Sequence, residues 1–408
     1  MVAAVRTGDA MSVLDGRAVI SGAGQSQIGR RLERDGLELT LEACLRALDH
    51  AGLTAAGIDG VATYPGAFAP DPGFTGAGAY DVIGALGIRA RWFLGAMETA
   101  GQLGPLADAC MAVATGMADH VLFFRSVWES TAQAGRGRGS VLAGGEQGRH
   151  RAEGFHQWLA PYGAISAANW IALAAQRYVH EYGLTREQLA QVPLNARRNA
   201  ALNPSAIYRA PLTLDDYLAA RIISTPFCLY DCDVPCDGAT AIVISRREAT
   251  TGLRQDPLTV RSLGTGMYER NTWDQRPDLT TMAAHDAAHT LWERTHLRPA
   301  DVDIAQLYDG FSYLTLQWLE ALGFCERGEA GRFVQDGERI SRTGELPLNT
   351  SGGQLSGGRL HGVGFLHEAC LQLWGQAGDR QVPGSPAIAA VAAGGGPVAG
   401  CLLLSRDG

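Results

Sequence analysis

Apolar and polar positions along the chain follow two spacings, one typical of strands and one typical of helices. A strand with a glycine turn, "RAVISGAGQSQIGR", precedes "LELTLEACLRALDHAGL", whose apolar residues recur at helical spacing, and "GIDGVATYPG" returns as a short strand. Farther on, "GQLGPLADACMAVATGMADHVLFF" predicts a helix and then the apolar strand Val121 to Phe124. Because strand, helix and strand form the unit of a parallel sheet, the pattern predicts an α/β fold.

The alternation repeats after residue 250, and two apolar strands resemble each other across the repeat. "CDGATAIVISRRE" and "VAGCLLLSRDG" are both led by glycine and both run into Ser-Arg. Between about 135 and 221 the composition shifts to glycine, arginine and aromatic residues, with helical stretches and few strand-like runs. We therefore expect two related halves, 15–250 and 251–408, with a helical and loop insertion at about 135–221.

A strand-to-helix junction is predicted in "DVDIAQLYDGFSYLTLQWLEALGF". Val302 to Leu307 alternates as a strand, and the apolar residues from Phe311 onward recur at helical spacing. Tyr308 and Asp309 therefore fall at the carboxyl end of a strand, where open α/β sheets bind ligands. The structural alternative is a buried tyrosine beside an aspartate that caps the helix.

A glycine-rich loop precedes the last predicted helix, in "LNTSGGQLSGGRLHGVGFLHEACLQLWG". Such a loop lets the backbone come close to a ligand, and its amides can point at an anion. Arg359 and His361 alternate along it; the alternatives are a solvated cation and a histidine that only hydrogen-bonds the loop. A second glycine run, "AAVAAGGGPVAG", could add backbone amides to an oxyanion hole.

Composition and charge restrict the class of protein. The 408-residue chain is 46% hydrophobic and carries a formal net charge of −8, which argues against a nucleic-acid or anionic-membrane surface. All 34 basic residues are arginine, so a Schiff-base lysine and a Walker P-loop are excluded. The N-terminus has no apolar signal-peptide core, and we expect a cytoplasmic protein. The uncharged stretch "PGSPAIAAVAAGGGPVAGCLLLS" predicts strand, turn and strand rather than a membrane span.

Motifs for metals and nucleotides are incomplete. "GAGQSQIG" has Gln27 where a dinucleotide-binding loop needs its third glycine. Cys228, Cys232 and Cys236 are spaced by four, unlike the paired cysteines of zinc ribbons, and "HDAAH" lacks the glutamate of a zincin. The eight cysteines have no secreted disulfide pattern. We therefore expect no metal site and mostly buried, reduced cysteines.

The order of these motifs resembles that of the thiolase superfamily. The likeness covers nearly the whole chain: "GAGQSQIGR", the helix ending in "ALDHAGL", "GIDGV", "DGATAIV", "YDGFS", "NTSGGQLSGGRLHGVG" and "AAGGGPVAG". Within the superfamily, the chain is similar to the sterol-carrier and nonspecific lipid-transfer branch. This resemblance implies a five-layered αβαβα fold of two similar halves, a loop domain inserted in the first half, and a homodimer.

The catalytic positions of a thiolase differ in this chain. The resemblance places Glu98, to within a residue, where thiolases have the nucleophilic cysteine, and Ala392 where they have the second cysteine. Tyr308 opens the motif that begins with asparagine or histidine in the family, and Arg359 replaces the Gly-His-Pro histidine. Because no thiolate is present to form an acyl-enzyme, we do not expect Claisen condensation or thiolysis by the family mechanism. The carboxylate of Glu98 would also repel a second anion.

Some members of the lipid-transfer branch are retro-aldolases that cleave β-hydroxyacyl-CoA thioesters from steroid side chains. They resemble the chain at "YDGFS" and "GGRLHG", which implies a catalytic role for Tyr308, and their loop commonly has a second tyrosine where Arg359 stands. The resemblance also implies that coenzyme A enters only as part of the substrate and that no cofactor is needed. A small OB-fold, zinc-ribbon partner protein is implied as well, giving a heterotetramer.

A metal-independent retro-aldol cleavage needs proton transfer and donors for an enolate oxygen. Tyr308 would relay the β-hydroxyl proton once Arg359 or His361 lowers its pKa, and His361 would exchange a proton with the enolate carbon or with Tyr308. Asp309 would orient the loop that carries one of them. We expect backbone amides near Gly394 and Gly395 to hold the thioester oxygen, and Glu98 and Gly358 to line the substrate site.

Two other functions stay open at the level of the sequence. A cofactor-free acyltransferase would need a relocated nucleophile such as Cys370 or Cys110, although both lie on apolar helix faces, where a neutral buried thiol is the usual state. The chain would alternatively be a non-catalytic acyl-CoA-binding or scaffold subunit of a heteromeric complex.

Overall fold

A computed structural model describes residues 14, 16–67, 73–134, 156–267, 270 and 272–407. The strands in these residues are β1 (Ala18–Gln25), β2 (Gly60–Thr63), β3 (Trp92–Gly95), β4 (His120–Trp128), β5 (Ile222–Ser224), β6 (Phe227–Cys228), β7 (Asp237–Arg246), β8 (Leu258–Gly266), β9 (Ile304–Leu307), β10 (Ile388–Gly395) and β11 (Val398–Arg406). The α-helices are α1 (Gly36–Ala51), α2 (Ala79–Leu86), α3 (Gly104–Ala114), α4 (Glu129–Ala132), α5 (His156–Leu159), α6 (Ala167–Tyr182), α7 (Arg186–Ala201), α8 (Leu214–Ala219), α9 (Ala283–Trp292), α10 (Ser312–Ala321), α11 (Ala330–Phe333) and α12 (Val363–Trp374).

The main sheet has the same strand arrangement on both sides of its centre. Its order is β3-β2-β4-β7-β1-β8-β11-β10-β9, with β5 and β6 forming a separate hairpin. Outward from β1, the pairs β1–β7 and β7–β4 are antiparallel and β4–β2 is parallel. Outward from β8, the pairs β8–β11 and β11–β10 are antiparallel and β10–β9 is parallel. This repeated order favours two related halves, although the boundary near residue 250 stays a prediction.

Helices cover both faces of the sheet and fill the space between its two halves. One apolar core joins α3 and α12 to strand residues from both halves, including Phe123 of β4 and Val391 of β10. A second core packs α1 and α2 against the outer face of the first half, and a third packs α9 and α10 against the second half. The layers therefore alternate as helix, sheet, helix, sheet and helix, the αβαβα arrangement expected from the sequence.

The patterned segments fold as predicted. The first strand, helix and strand are β1, α1 and β2, and the uncharged C-terminal stretch forms the antiparallel hairpin of β10 and β11. Residues 135–155 of the predicted insertion lie outside the described residues, and the rest of it contains α5 to α8, with capping boxes at Thr185 and Thr213. Across the part of the chain that the structure describes, no helix has the length and apolar character needed to span a bilayer.

Candidate active site

The predicted junction motif and the glycine loop meet beyond the carboxyl end of β9. Tyr308 and Asp309 directly follow that strand, and Gly353–Gly357 form a single π-helical turn. The backbone N–H of Gln354 donates to Oδ1 of Asp309 at 2.8 Å. A Cβ at Gly353, whose φ is +57°, would lie 1.9 Å from Oδ2 of the same carboxyl, so only glycine lets the loop close on Asp309.

The same loop fixes the position of His361. The side-chain carbonyl of Gln354 accepts a hydrogen bond from the backbone N–H of His361 at 3.0 Å. His361 has a φ of +48°, a left-handed conformation that a side chain rarely adopts. Its ring is buried and packs edge-on against Phe74, with ring centroids 4.7 Å apart. Asp309 and Gln354 therefore form a continuous support from the strand end to the imidazole.

Arg359 pairs with two buried carboxylates from other parts of the chain. Its Nη2 donates to Oε1 of Glu129, the first residue of α4, and its Nε lies 3.6 Å from Oδ2 of Asp233. Burial opposes the positive charge, but the two carboxylates raise the pKa of Arg359 above its ordinary value. The guanidinium, whose side chain is 19% exposed, is thus a permanent and largely buried cation that compensates two carboxylates, and it is not a solvated surface group.

Glu129 also faces the imidazole. Its Oε2 lies 3.6 Å from Nε2 of His361, slightly beyond hydrogen-bond distance. Burial alone would raise the pKa of Glu129, but the charge of Arg359 and the neighbouring His361 hold it well below its usual range. Burial and the charge of Arg125 lower the pKa of His361 to about 4, against the opposing effect of Glu129. At neutral pH the pair is therefore an ionised carboxylate beside a neutral imidazole.

Tyr308 does not acquire the lowered pKa expected from the sequence. Burial and the charge of Asp233 raise the pKa of Tyr308 well above its ordinary value, and they outweigh the opposite effects of Arg359 and Gln354. The expectation that Arg359 would make this phenol more acidic on balance is wrong, because the same burial that brings the cation close also penalises the phenolate. Tyr308 is a neutral hydroxyl at physiological pH.

Asp309 is completely buried, and its charge is equally disfavoured. Burial raises the pKa of Asp309 to about 7, although backbone N–H donors from Gln354 and Leu355 favour the ionised form. Its Oδ2 has no hydrogen-bond partner among the residues described. A carboxyl that holds a loop through one oxygen and stays half-protonated near neutrality suits a positioning role, which remains a prediction.

The structure distributes the other predicted site residues over three places. Gly394 and Gly395 are the last two residues of β10, directly before the turn to β11, and the carbonyl of Gly394 accepts from Nε1 of Trp318 at 3.0 Å. Gly358, with a φ of +127°, lies beside Cys236 in the glycine loop. Glu98 is exposed in the segment before α3. The assignment of these four residues to the substrate site stays a prediction.

The turn at Gly394 and the loop of His361 approach each other closely. A Cβ at Gly362 would lie 2.5 Å from the Cβ of Ala393, and a Cβ at Gly394 would lie 3.4 Å from Oε1 of Gln102. That carbonyl oxygen is buried and has no hydrogen-bond partner in the described part of the chain. The turn directly before α3, the glycine loop and the end of β10 thus meet at one place.

Sequence reasoning missed Glu129, Asp233 and Gln354. Glu129 and Arg359 are separated by 230 positions, so no local spacing connects them. A signal was nevertheless present, since "VLFFRSVWES" places two charged residues in a run that otherwise predicts a buried strand. A charged residue inside an apolar strand needs a partner. From these two charges alone, the sequence could have predicted only that a functional cluster lies at the end of β4.

The thiols named as alternative nucleophiles are buried and neutral. Cys110 and Cys370 are fully buried in α3 and α12. Burial raises the pKa of Cys110 to about 12 and that of Cys370 still further. Among the described residues, no group of three or more histidine, cysteine, aspartate or glutamate side chains is arranged to hold a metal ion.

Fold and site together define a thiolase-like protein whose candidate site brings His361, Glu129 and Arg359 together. The family model described as "Thiolase C-terminal domain-like" matches residues 265–403. A steroid side-chain-cleaving aldolase of Thermomonospora curvata is 34% identical over 404 residues, covering 97% of this chain and 100% of that protein. The chain therefore belongs to the thiolase superfamily, in the lipid-transfer branch that the sequence suggested.

Two further proteins are similar over the whole length. The 17-hydroxy-3-oxo-4-pregnene-20-carboxyl-CoA lyase of Mycobacterium tuberculosis is 33% identical over 403 residues, which cover 96% of this chain and 100% of that protein. The solved structure of the "Ltp2-ChsH2(DUF35) aldolase" superposes with a TM-score of 0.85 at 32% identity and covers 97% of this chain and 99% of its counterpart. The similarity extends through both halves of the fold.

Proposed function

We propose that the protein cleaves a β-hydroxyacyl-CoA by a metal-independent retro-aldol reaction, releasing a ketone or aldehyde and a shorter acyl-CoA. The observation that carries the proposal is the buried pair of neutral His361 and ionised Glu129, 3.6 Å apart, in a thiolase-like site without an activated thiol. The substrate class follows from the aldolase and the acyl-CoA lyase that this chain resembles. A steroid or similarly bulky side chain is the acyl group that we expect.

The proposed reaction uses two neutral groups. Tyr308, a neutral phenol, accepts the proton of the β-hydroxyl while it passes its own proton to His361. The two transfers are concerted because the raised pKa of Tyr308 disfavours a free phenolate. Glu129 then stabilises the imidazolium. The carbon–carbon bond breaks, its electron pair enters the thioester enolate, and the proton returns to the α-carbon. No proton is gained or lost overall.

Two residues support this pair, and backbone amides assist the reaction, without taking part in the proton transfer. Arg359 keeps Glu129 ionised in a buried place where an isolated carboxylate would take up a proton. Asp309 holds the glycine loop. Backbone amides near Gly394 are proposed to receive the enolate oxygen, in agreement with the close approach of that turn to the loop of His361.

The acyltransferase alternative lacks support because Cys110 and Cys370 are neutral buried thiols, and an acyl transfer needs a thiolate. A non-catalytic scaffold would have no need for an ionised carboxylate and a neutral imidazole buried side by side. Such a pair is costly to maintain in a structural position. We therefore place the aldolase first.

We further propose that the protein works in the cytoplasm with a partner subunit and as a homodimer. The similar structure is that of an aldolase named together with ChsH2(DUF35), which favours a small partner, for which we propose an OB-fold with a zinc ribbon and a heterotetramer. Dimer formation is favoured by β3, the edge strand of the sheet, because Phe93 is exposed and packs beside exposed Tyr80 with ring centroids 5.5 Å apart.

A substrate panel tests the proposal. The purified chain, together with the protein that copurifies with it, is mixed with β-hydroxyacyl-CoA thioesters of increasing side-chain size, and mass spectrometry measures the ketone or aldehyde and the shorter acyl-CoA. We expect both products in equal amounts from bulky thioesters, without added metal and in the presence of a chelator. Absence of cleavage across the panel would falsify the aldolase proposal, and a covalent acyl-cysteine would favour the acyltransferase.

A further inference from the structure

Arg125 is a fully buried arginine that the mechanism above does not use. It lies near the carboxyl end of β4, and its side chain is inaccessible to solvent. Its Nη1 donates to the backbone carbonyl of Ser126. Its Nε and Nη2 have no hydrogen-bond partner among the residues that the structure describes. Buried guanidinium donors are almost always satisfied, so this side chain calls for an explanation.

The sheet register places Arg125 in the same row of the first half that Tyr308 and Ala393 occupy in the second. Strands β2 and β4 pair in parallel up to Thr63 and Phe124, so the next row joins Tyr64 and Arg125. In the other half, β9 and β10 pair up to Leu307 and Ala392, and the next row joins Tyr308 and Ala393. Tyr64 thus occupies in the first half the position that Tyr308 occupies in the second. Both rows end at the carboxyl ends of parallel strands, where ligands bind.

Aromatic rings fix the guanidinium beside the catalytic pair. The Cζ of Arg125 lies 4.9 Å from the centroid of the Phe74 ring and 5.6 Å from that of Tyr64. Phe74 is the ring that packs edge-on against His361 at 4.7 Å. Each ring receives the charge over its face, and Nε and Nη2 still have no hydrogen-bond partner in the described part of the chain.

Among the residues described, charge compensation in the cluster leaves Arg125 without a carboxylate of its own. Glu129 and Asp233 are both bonded or close to Arg359. Burial lowers the pKa of Arg125 to about 10, so the group still carries its proton at neutral pH. A protonated guanidinium with two unused N–H donors, next to a base and a phenol, is suited to receive an oxygen that becomes negative during the reaction.

We propose that Arg125 is a catalytic residue that binds the oxyanion of the thioester enolate, a role that rests on the proposed aldolase function. When the carbon–carbon bond breaks, its electron pair forms the carbon–carbon double bond of the enolate, and the negative charge collects on the former thioester oxygen. The Nε–H and Nη2–H of Arg125 donate to that oxygen. After the α-carbon takes up its proton, the neutral thioester accepts these hydrogen bonds more weakly and the product leaves. The backbone amides near Gly394 are additional donors.

The test separates catalysis from ground-state binding. The wild-type protein with its copurifying partner and the variant Arg125→Lys are compared on the bulky β-hydroxyacyl-CoA that the wild type cleaves fastest. The lysine keeps the charge but loses the two-pronged donor geometry. We expect kcat to fall by about 100-fold or more, the usual effect of losing an oxyanion donor, while the Kd for propionyl-CoA changes by less than about threefold. The matched control is Arg246→Lys, an arginine of the neighbouring strand β7 that pairs with Asp119 at the surface and should keep wild-type kcat.

Each outcome decides the proposal. If the wild type cleaves and Arg125→Lys cleaves within about threefold of it, Arg125 is not the oxyanion donor, and the aldolase function stands without it. Weakening of propionyl-CoA binding in proportion to the loss of kcat would also overturn the proposal, because it indicates a packing role. If the wild type cleaves no thioester, the aldolase function fails and this role fails with it. Should the lysine variant not fold, as judged by its melting temperature, Arg125→Gln, which keeps an amide donor, is measured in the same way.

Discussion

Nε2 of His361 lies 3.6 Å from Oε2 of Glu129. The same carboxylate accepts from Arg359, which is 230 positions away in the sequence. The carboxylate belongs to the first half of the sheet, at the end of β4, and the imidazole to the glycine loop of the second half. Because Arg359 holds the carboxylate ionised while burial keeps the imidazole neutral, the interface between the halves contains a base with a fixed counter-charge.

Removing the hydroxyl of Tyr308 should stop cleavage without unfolding the protein. We expect Tyr308→Phe to lower kcat by about 10²- to 10⁴-fold, the range for losing a proton-transfer group, because the phenylalanine ring preserves the contact with Phe365 but cannot relay a proton. Cleavage kinetics, propionyl-CoA binding and the melting temperature are measured together. Tyr162→Phe, at a tyrosine that is 88% exposed, is the control and should retain wild-type rates. Full activity in Tyr308→Phe would remove this residue from the mechanism.

Replacing Glu129 by glutamine should change the pH dependence as well as the rate. The charge of Glu129 raises the pKa of His361, so its loss moves that pKa below about 4. Because the base acts in its neutral form, activity is lost as pH falls through this pKa, and the acid limb of kcat/KM should shift to lower pH in Glu129→Gln. The rate at neutral pH should drop by about 100-fold, since a weaker base receives the proton. Profiles of kcat/KM against pH measure both effects.

A surface pair provides the control for this substitution. Glu293 lies 3.1 Å from Nε2 of His289 on α9, and both side chains are more than half exposed. Glu293→Gln should therefore leave the rate and its pH profile unchanged. An unshifted acid limb in Glu129→Gln would mean that His361 is not the titrating base.

The sequence could predict those site residues whose signal lies in neighbouring positions of the chain, and it could not predict those that depend on a distant partner. Tyr308 and Asp309 were located correctly because a period-two strand runs directly into a period-3.6 helix, and that change of period is written in consecutive residues. The sequence predicted a strand that ends at Phe124, whereas β4 continues through Arg125 to Trp128, and Glu129 follows directly as the first residue of α4. The predicted strand ends before Arg125 because the local sequence contains no partner for a charged residue in a buried strand.

The electrostatics were less accessible from the sequence than the fold. Proximity of a cation suggested a more acidic Tyr308, but the sequence does not contain the amount of burial, which here outweighs the cation. The α/β class was predictable because it follows from periodicity summed over many residues, and the αβαβα layers were implied by the resemblance to the thiolase superfamily. The pKa of a buried group depends on the distances to neighbouring charges, and those charges belong to segments that meet only after folding.

Arg359 should be needed for stability because it compensates two buried carboxylates. Arg359→Met leaves Glu129 and Asp233 without this cation, and we expect the free energy of unfolding to fall by about 3–5 kcal/mol. The double variant Arg359→Met with Glu129→Gln should be less destabilised than the sum of the two single changes, because the second change removes one of the uncompensated charges. Urea unfolding of the four proteins measures this coupling. Arg332→Met, at an exposed pair with Glu329, should cost about 1 kcal/mol or less.

Asp309 should make stability depend on pH in a direction opposite to that of an ordinary aspartate. Its pKa of about 7 in the folded protein lies above the value of about 4 in an unfolded chain, so between these limits the folded state binds a proton that the unfolded state does not. Its contribution to stability is therefore present at pH 4 and is lost as pH rises to 7. His361 acts in the opposite sense, because its lowered pKa costs stability as pH falls from about 6.5 to 4.

Asp309→Asn isolates the contribution of the carboxyl. The amide oxygen still accepts from Gln354, but the group has no charge to bury. Relative to wild type, we expect the variant to gain stability between pH 4 and pH 8, by at most about 4 kcal/mol. Urea unfolding of both proteins at several pH values gives the difference, in which the contribution of His361 cancels. A difference that does not change with pH would mean that Asp309 is ionised throughout.

The closure of the glycine loop on Asp309 should be sensitive to a single methyl group. Gly353 and Gly375 both have positive φ, of +57° and +70°, so alanine is strained at either position by about 1–2 kcal/mol. At Gly375 an added Cβ meets nothing within 4 Å, whereas at Gly353 it would lie 1.9 Å from Oδ2 of Asp309. Gly353→Ala should therefore cost about 1–3 kcal/mol more than Gly375→Ala, the usual penalty for overpacking. It should also abolish cleavage, because Gln354, whose side chain fixes the backbone of His361, moves with the loop. Equal melting temperatures and equal rates for the two variants would show that the loop closes on Asp309 without strain and that the carboxyl does not position the imidazole.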